Sequence, residues 1–248
     1  PVPFGAVGRD FETYRTHFEA LGIDLRCVRE LPDHYTAQAY ITTDLDDNQI
    51  TAFHPGAMNF SHLNSVKDSR EIHLGIVAPD GRDGMMQHAR EFHEMGIPFM
   101  FDPGQGLPMY NGDELLNFMQ QANYIAVNDY EAQLLQDRTG YKLESLVNKD
   151  KVLIITLGAN GSVIYADGKK IEIPCVEPRE IVDPTGCGDA YRAGLLYGIV
   201  KSLDWQTTGQ LGSLLGSLKI AHRGGQNHQF TREEIDQAYF ENFGARIF

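Results

Sequence analysis

Three short stretches of this 248-residue chain carry acids, amides and glycines at spacings that suit chemistry on an anion. The first is Asp183-Pro-Thr-Gly-Cys-Gly-Asp189, followed by Ala190–Val200 with Leu195, Leu196, Ile199 and Val200 as the apolar content of a helix. Pro184 stiffens the approach, while Gly186 and Gly188 permit backbone angles and close contacts that a side chain would block. The first amides of such a helix lack intrahelical partners and sit at the positive end of its dipole, which makes an anion site of Gly186, Cys187 and Gly188. Asp189 stands beside it. A carboxylate in a first helical turn is ordinarily a cap or a complement to the dipole. It also suits phosphoryl transfer, where the amides steady the moving phosphoryl group and the carboxylate takes the proton of an attacking hydroxyl. The same amides favour a thiolate, so Cys187 is expected to alkylate faster than Cys27 or Cys175 unless it is packed as a small residue.

The second stretch, Asn128-Asp-Tyr-Glu131, sets an amide and a carboxylate one helical turn apart, able to face one point. An oxygen pair of this kind suits a hydrated Mg²⁺, and it equally suits a helix cap. The third is Thr156-Leu-Gly-Ala-Asn-Gly161, where glycines at a strand end let a nucleotide lie against the backbone or turn a hairpin into Ser162–Ala166 and Lys169–Ile173.

The elements that must hold these stretches alternate. Glu71–Val77, Ile97–Asp102, Tyr124–Val127 and Lys151–Leu157 read as strands, and Asp83–Met95, Glu114–Gln121 and Tyr130–Arg138 as helices between them. This rhythm predicts an α/β, doubly wound and mainly parallel sheet with helices on both faces and ligands at the carboxyl ends of its strands. Helices are also expected at Arg9–Leu21, Trp205–Arg223 and Glu233–Phe243. The small residues Gly212, Ser213, Gly216 and Ser217 of the long one either let helices approach or leave room for a flat base. Tyr35–Thr43 and Gln49–His54, flanking a turn at Asp44–Asn48, predict a hairpin, which with Leu25–Leu31 would form a small sheet off the main body. The expected division is a core of 1–22 and 55–248 with 23–54 as a β lid.

Asp183-Pro-Thr-Gly-Cys-Gly-Asp189 resembles the signature of the ribokinase-like (PfkB) family of sugar and nucleoside kinases, commonly Asp-Thr-x-Gly-Ala-Gly-Asp. The resemblance implies that Asp189 is the catalytic base and that Gly186, Cys187 and Gly188 form the anion hole. Cys187 stands where Ala is commoner, and Pro184 lies between Asp and Thr. Asn128-x-x-Glu131 is similar to the family's metal motif, which implies that Glu131 holds Mg²⁺ through water and that Asn128, Thr156, Gly158 and Gly161 meet the nucleotide. His222-Arg-Gly-Gly-Gln226 resembles a loop that in many members helps to hold a monovalent cation such as K⁺. The implied function is an ATP-dependent kinase for a primary hydroxyl of a small ribose-containing substrate. Phe53-His-Pro-Gly-Ala-Met58 and Phe101-Asp-Pro-Gly-Gln105 look more like adenosine-type members than sugar kinases such as ribokinase or fructokinase. A free-sugar kinase and a nucleotide-binding relative without turnover are the alternatives. The resemblance also implies a lid that closes over the sugar and offers a face for a homodimer. In the family a first strand and a Gly-Gly-x-x-x-Asn segment precede Val7-Gly8-Arg9-Asp10 and Leu21-Gly-Ile-Asp24, so an N-terminal segment is expected ahead of Pro1, and the residues gripping the sugar are left unassigned.

Composition sets outer bounds. A formal charge of −13 excludes the basic stripe of a nucleic-acid surface, yet leaves room for phosphates held by local amides and a metal ion. No apolar run reaches membrane-spanning length. Three cysteines without metal spacing point to a reducing, cytoplasmic setting.

Overall fold

The computed structural model describes residues 1–43 and 49–248, so the turn expected over Asp44–Asn48 lies outside the described residues. The chain divides into two compact units, Pro1–Ala122 and Asn123–Phe248. The division drawn from the sequence rests instead on strand pairing in residues 23–54.

In the first unit, β1 (Gly5–Gly8) leads into α1 (Glu12–Ala20) and then β2 (Val28–Leu31). β2 runs parallel to β1, with Gly5 opposite Val28 and Gly8 opposite Leu31. It does not join the hairpin, as the sequence reading of Leu25–Leu31 had it. Period-2 patterning sets which face a strand buries and leaves its partner open. The hairpin itself forms a separate two-stranded sheet of β3 (Gln38–Thr43) and β4 (Gln49–His54), paired from Gln38–His54 to Thr43–Gln49. Its root is clamped to the end of β1. Asp10 Oδ1 accepts from the amide and the hydroxyl of Thr36, each at 2.8 Å, and the Gly8 amide donates to Thr36 Oγ1. A Cβ on Gly8 would lie 2.3 Å from the Tyr35 carbonyl carbon, so only glycine admits this approach. Beyond it, β5 (Gly75–Val77) and β6 (Phe99–Phe101) pair in parallel through α2 (Arg82–Glu94), and α3 (Gly112–Gln121) follows. Phe99, Met100 and Phe101 are wholly buried, as expected of a parallel strand covered on both faces.

The second unit carries the three stretches. Its β7 (Tyr124–Asn128) and β8 (Val152–Thr156) are parallel and are joined through α4 (Asp129–Thr139). β9 (Ser162–Ala166) and β10 (Lys169–Ile173) continue antiparallel, at the bounds predicted for that hairpin. Then come α5 (Cys187–Val200), α6 (Trp205–Ile220) and α7 (Arg232–Phe243). The small residues serve helix contact at two positions. A Cβ on Gly194 of α5 would sit 2.6 Å from the Gly212 Cα of α6, and one on Gly198 would sit 2.4 Å from Thr208 Oγ1. Ser213 is a tie: its hydroxyl donates to Pro174 O and accepts the Val176 amide, both at 2.9 Å. Among the described residues, no helix is long and apolar enough to cross a membrane.

Candidate active site

Helix α5 begins as its sequence requires. Gly186, the cap residue, has φ +84°, a left-handed conformation that costs glycine nothing, and no side chain caps the helix. The Cys187 amide donates to Pro184 O at 3.1 Å and is spent on the turn. The Ala190 amide closes the first helical bond, to Gly186 O. The amides of Gly186, Gly188 and Asp189 meet no acceptor among the described residues, so they are the donors left for an anion. The expected trio therefore gives up Cys187 as an amide donor and gains Asp189.

The Asp189 side chain is exposed. Among the described residues it accepts no hydrogen bond and forms no ion pair. It is thus not a helix cap. A carboxylate on the last of three free amides can accept a hydroxyl proton while those amides hold the phosphoryl oxygens.

Cys187 is half-buried at the helix start. Burial pushes its thiol up, with Asp183 and Asp189 adding to the rise and Lys219 opposing it. Desolvation of the half-buried sulfur is the largest of these influences and disfavours the thiolate.

The segment leading into α5 is fastened from behind. The Val182 and Asp183 amides donate to Ile220 O at the end of α6, at 2.9 and 3.0 Å. Asp183 Oδ1 accepts the Thr185 amide at 2.9 Å and Oδ2 the Gly224 amide at 2.7 Å. The Gly224 and Thr185 amides and the nearby Lys219 charge lower the Asp183 pKa to about 2. Gly186 lies against Gly225, whose Cα would be 3.2 Å from an added Cβ. The loop His222–Gln226 is therefore the rear wall of the anion site.

The Lys219 ammonium, on a wholly buried residue, donates to Asp183 O at 2.9 Å and His222 O at 3.0 Å. Sequence reasoning missed it. The available signal was that Lys219 is the only charged residue in Trp205–Ile220, set between Leu218 and Ile220.

Asn128 and Glu131 form a reciprocal capping box on α4. Asn128 Oδ1 accepts the Glu131 amide at 2.7 Å, and Glu131 Oε2 accepts the Asn128 amide at 2.9 Å. The cap reading of this pair is met. Among the described residues no group of three or more metal-type side chains gathers. What this pair suits is an ion that arrives hydrated with a phosphate ligand and needs few protein oxygens.

Sheet register brings the other residues alongside. Asn128 is opposite Thr156 on β8, and Thr156 is opposite Ser162 on β9. Ser162 shares a 2.6 Å hydrogen bond with Tyr191 of α5, one helical turn beyond the free amides. Gly158 has φ +58° with open space where a Cβ would be. Gly161 differs, since a Cβ there would lie 2.1 Å from Ile173 O; it is glycine for the hairpin's sake. On the other side of α6, Val176, Leu214, Ser217, Ala221, His222 and Phe230 line a cavity of about 500 Å³.

Known proteins resemble this chain over most of its length. Residues 2–232 match the model of the pfkB family carbohydrate kinases. The nucleoside kinase of Methanocaldococcus jannaschii is 33% identical over 233 residues, 92% of this chain and 76% of that protein. The structure of Burkholderia thailandensis nucleoside kinase in complex with inosine is 50% identical and superposes with a TM-score of 0.95, covering 98% of this chain and 80% of that one. The Thermotoga maritima ribokinase structure, 20% identical with a TM-score of 0.72 over 96% of this chain and 80% of its own, shares the fold. The chain belongs to the pfkB family of carbohydrate kinases and is an ATP-dependent kinase.

Proposed function

We propose that this protein is a nucleoside kinase that moves the γ-phosphoryl group of ATP to the primary hydroxyl of a nucleoside. The observation that carries the chemistry is the Asp189 carboxylate, without a partner among the described residues, beside the amides of Gly186, Gly188 and Asp189, which meet no acceptor among them. Asp189 accepts the hydroxyl proton as the oxygen attacks, and the amides stabilise the charge on the phosphoryl oxygens. The choice of a nucleoside over a free sugar is supported by the M. jannaschii and B. thailandensis relatives, the latter captured with inosine.

Asn128 and Glu131 would hold Mg²⁺ through water, and the ion supplies neutralisation of phosphate charge. Thr156 and Gly158 flank the nucleotide on the open side of the β8–β9 turn. The cavity beside α6, with the small side chains of Ser217 and Ala221 in its wall, fits the flat base of ATP. The hairpin exposes Tyr40, Ile41, Ile50 and Phe53, an apolar surface that suits a lid over the substrate and a face for a second copy.

Coupled ADP release with adenosine, inosine, ribose and fructose tests the assignment. Turnover with nucleosides at least ~10-fold above that with free sugars is expected; the reverse order would make this a sugar kinase, and no turnover with either would remove the reading.

A further inference from the structure

Lys219 is a charge where burial is costly. An ammonium withdrawn from water needs acceptors for its donors and an opposite charge nearby. Lys219 has two acceptors for its three N–H donors, and an acid in the adjoining loop. Two carbonyl oxygens, of Asp183 and His222, accept from Nζ, and the Asp183 carboxylate belongs to the same loop. The position at the last turn of α6 adds a favourable dipole. The two carbonyls come from the two segments that shape the anion site: the segment leading into α5 and the rear-wall loop. A positive centre between them pulls both inward, and the Gly224 amide on Asp183 Oδ2 closes the same seam.

This is the work a bound monovalent cation would do, since such an ion is held by backbone carbonyls at the junction of two loops. Ammonium and K⁺ are similar in size and share the same charge, and a lysine delivers that charge on a tether. The His222–Gln226 loop resembles a K⁺-holding loop, but here carbonyls at the seam are already taken by Nζ. The residues present do not fit a free ion between Asp183 O and His222 O.

We propose that the Lys219 ammonium is this protein's resident monovalent cation: held between Asp183 O and His222 O, it keeps the anion site in shape without added K⁺. The inference rests on the kinase reading for its consequence in turnover, but not for its structural content. Lys219 is a positioning residue; nothing places it against substrate.

The experiment compares the full chain with its Lys219→Ala and Lys219→Met variants in KCl, NH₄Cl and choline chloride at equal ionic strength, by thermal unfolding and by ADP release. For the unaltered protein, melting temperature should be the same in all three salts and turnover should differ by less than ~2-fold. Lys219→Ala, which leaves a hole lined by the two carbonyls, should melt lower and turn over at least ~10-fold more slowly in choline. K⁺ or NH₄⁺ should recover much of both losses. Lys219→Met, which fills the hole with an apolar chain, should show the losses without the recovery. A rise in melting temperature or a several-fold gain in turnover of the unaltered protein on adding K⁺ would overturn the proposal, and this arm needs no variant to fold. Equal losses in Lys219→Ala in every salt would also overturn it, leaving lysine as packing only. Were ADP release absent for the unaltered protein in all salts, the kinase reading would fail, while the melting data would still decide the cation question.

Discussion

Helices α4 and α5 begin with an acid at the same position, the third residue, and use it in opposite ways. At α4 the acid turns back: Glu131 bonds the amide of its own cap residue, and Asn128 returns the favour. The same closed box recurs at α3 with Asn111 and Glu114, and at α7 with Thr231 and Glu234. At α5 the cap residue is Gly186, which has no side chain to give, and Asp189 turns to solvent. A closed helix start has satisfied its amides and has little left for a ligand. An open one keeps its amides and its carboxylate for something that is not protein. The difference comes down to the residue at the cap: asparagine or threonine closes the box, and glycine leaves it open.

The largest expected effect breaks the comparison at its open member. Asp189→Asn should lower kcat by at least ~10²-fold, the lower range for a lost general base, with ATP affinity within a few-fold. Because the carboxylate has no partner among the described residues, folding stability should change by less than ~0.5 kcal/mol. Near-normal kcat in steady-state assays, or a marked loss of stability in urea unfolding, would put Asp189 among the caps after all.

The closed member should answer in the opposite currency. Asn128→Ala removes a cap and should cost about 1 kcal/mol in denaturant unfolding. Glu131→Gln keeps a cap acceptor but loses the charge, so stability should fall less while the Mg²⁺ concentration for half-maximal turnover rises several-fold. An unchanged Mg²⁺ titration would confine Glu131 to the box.

A third acid, Asp183, anchors the loop before α5. Its pKa is lowered to about 2 by the Gly224 and Thr185 amides and the Lys219 charge. Its contribution is therefore complete above the ordinary carboxylate range and is lost as pH falls from about 4 toward 2. The stability gap between the unaltered protein and Asp183→Asn should narrow over that window in acid-dependent urea titrations. A gap that stays constant would mean that the carboxylate's charge adds nothing to the seam.

The smallest effect concerns reactivity. Since burial raises the Cys187 thiol pKa, Cys187 should not be the fastest of the three cysteines to alkylate at neutral pH. Peptide mapping after brief iodoacetamide treatment decides this, and preferential labelling of Cys187 would show that the helix terminus prevails over desolvation.

Local pattern was enough for much of this. The hairpin of β9 and β10 emerges at its predicted bounds because period-2 alternation and the Asp167-Gly168 turn are both short-range signals. The signature loop was legible because glycine and proline act on their own backbone. What sequence reading missed was long-range. β2 pairs with β1 across an intervening helix, and nothing in Val28–Leu31 names that partner. The Cys187 environment depended on burial, which the helix-terminus argument omits. Lys219 joins Asp183 and His222, 36 and 3 residues away, so its role appears only when three segments are seen together.

The glycine contact between α5 and α6 has a further consequence. With Gly194 against Gly212 and Gly198 against Thr208, the two helices meet at these positions with almost no side-chain thickness between them, which resists sliding. Asp189 rides on the first and Lys219 on the second. The two therefore belong to one block whose backbone amides should exchange with solvent as a cooperative unit, in a single slow opening. A site carried on such a block is already assembled when substrate arrives, and the barrier to reaction need not include arranging it.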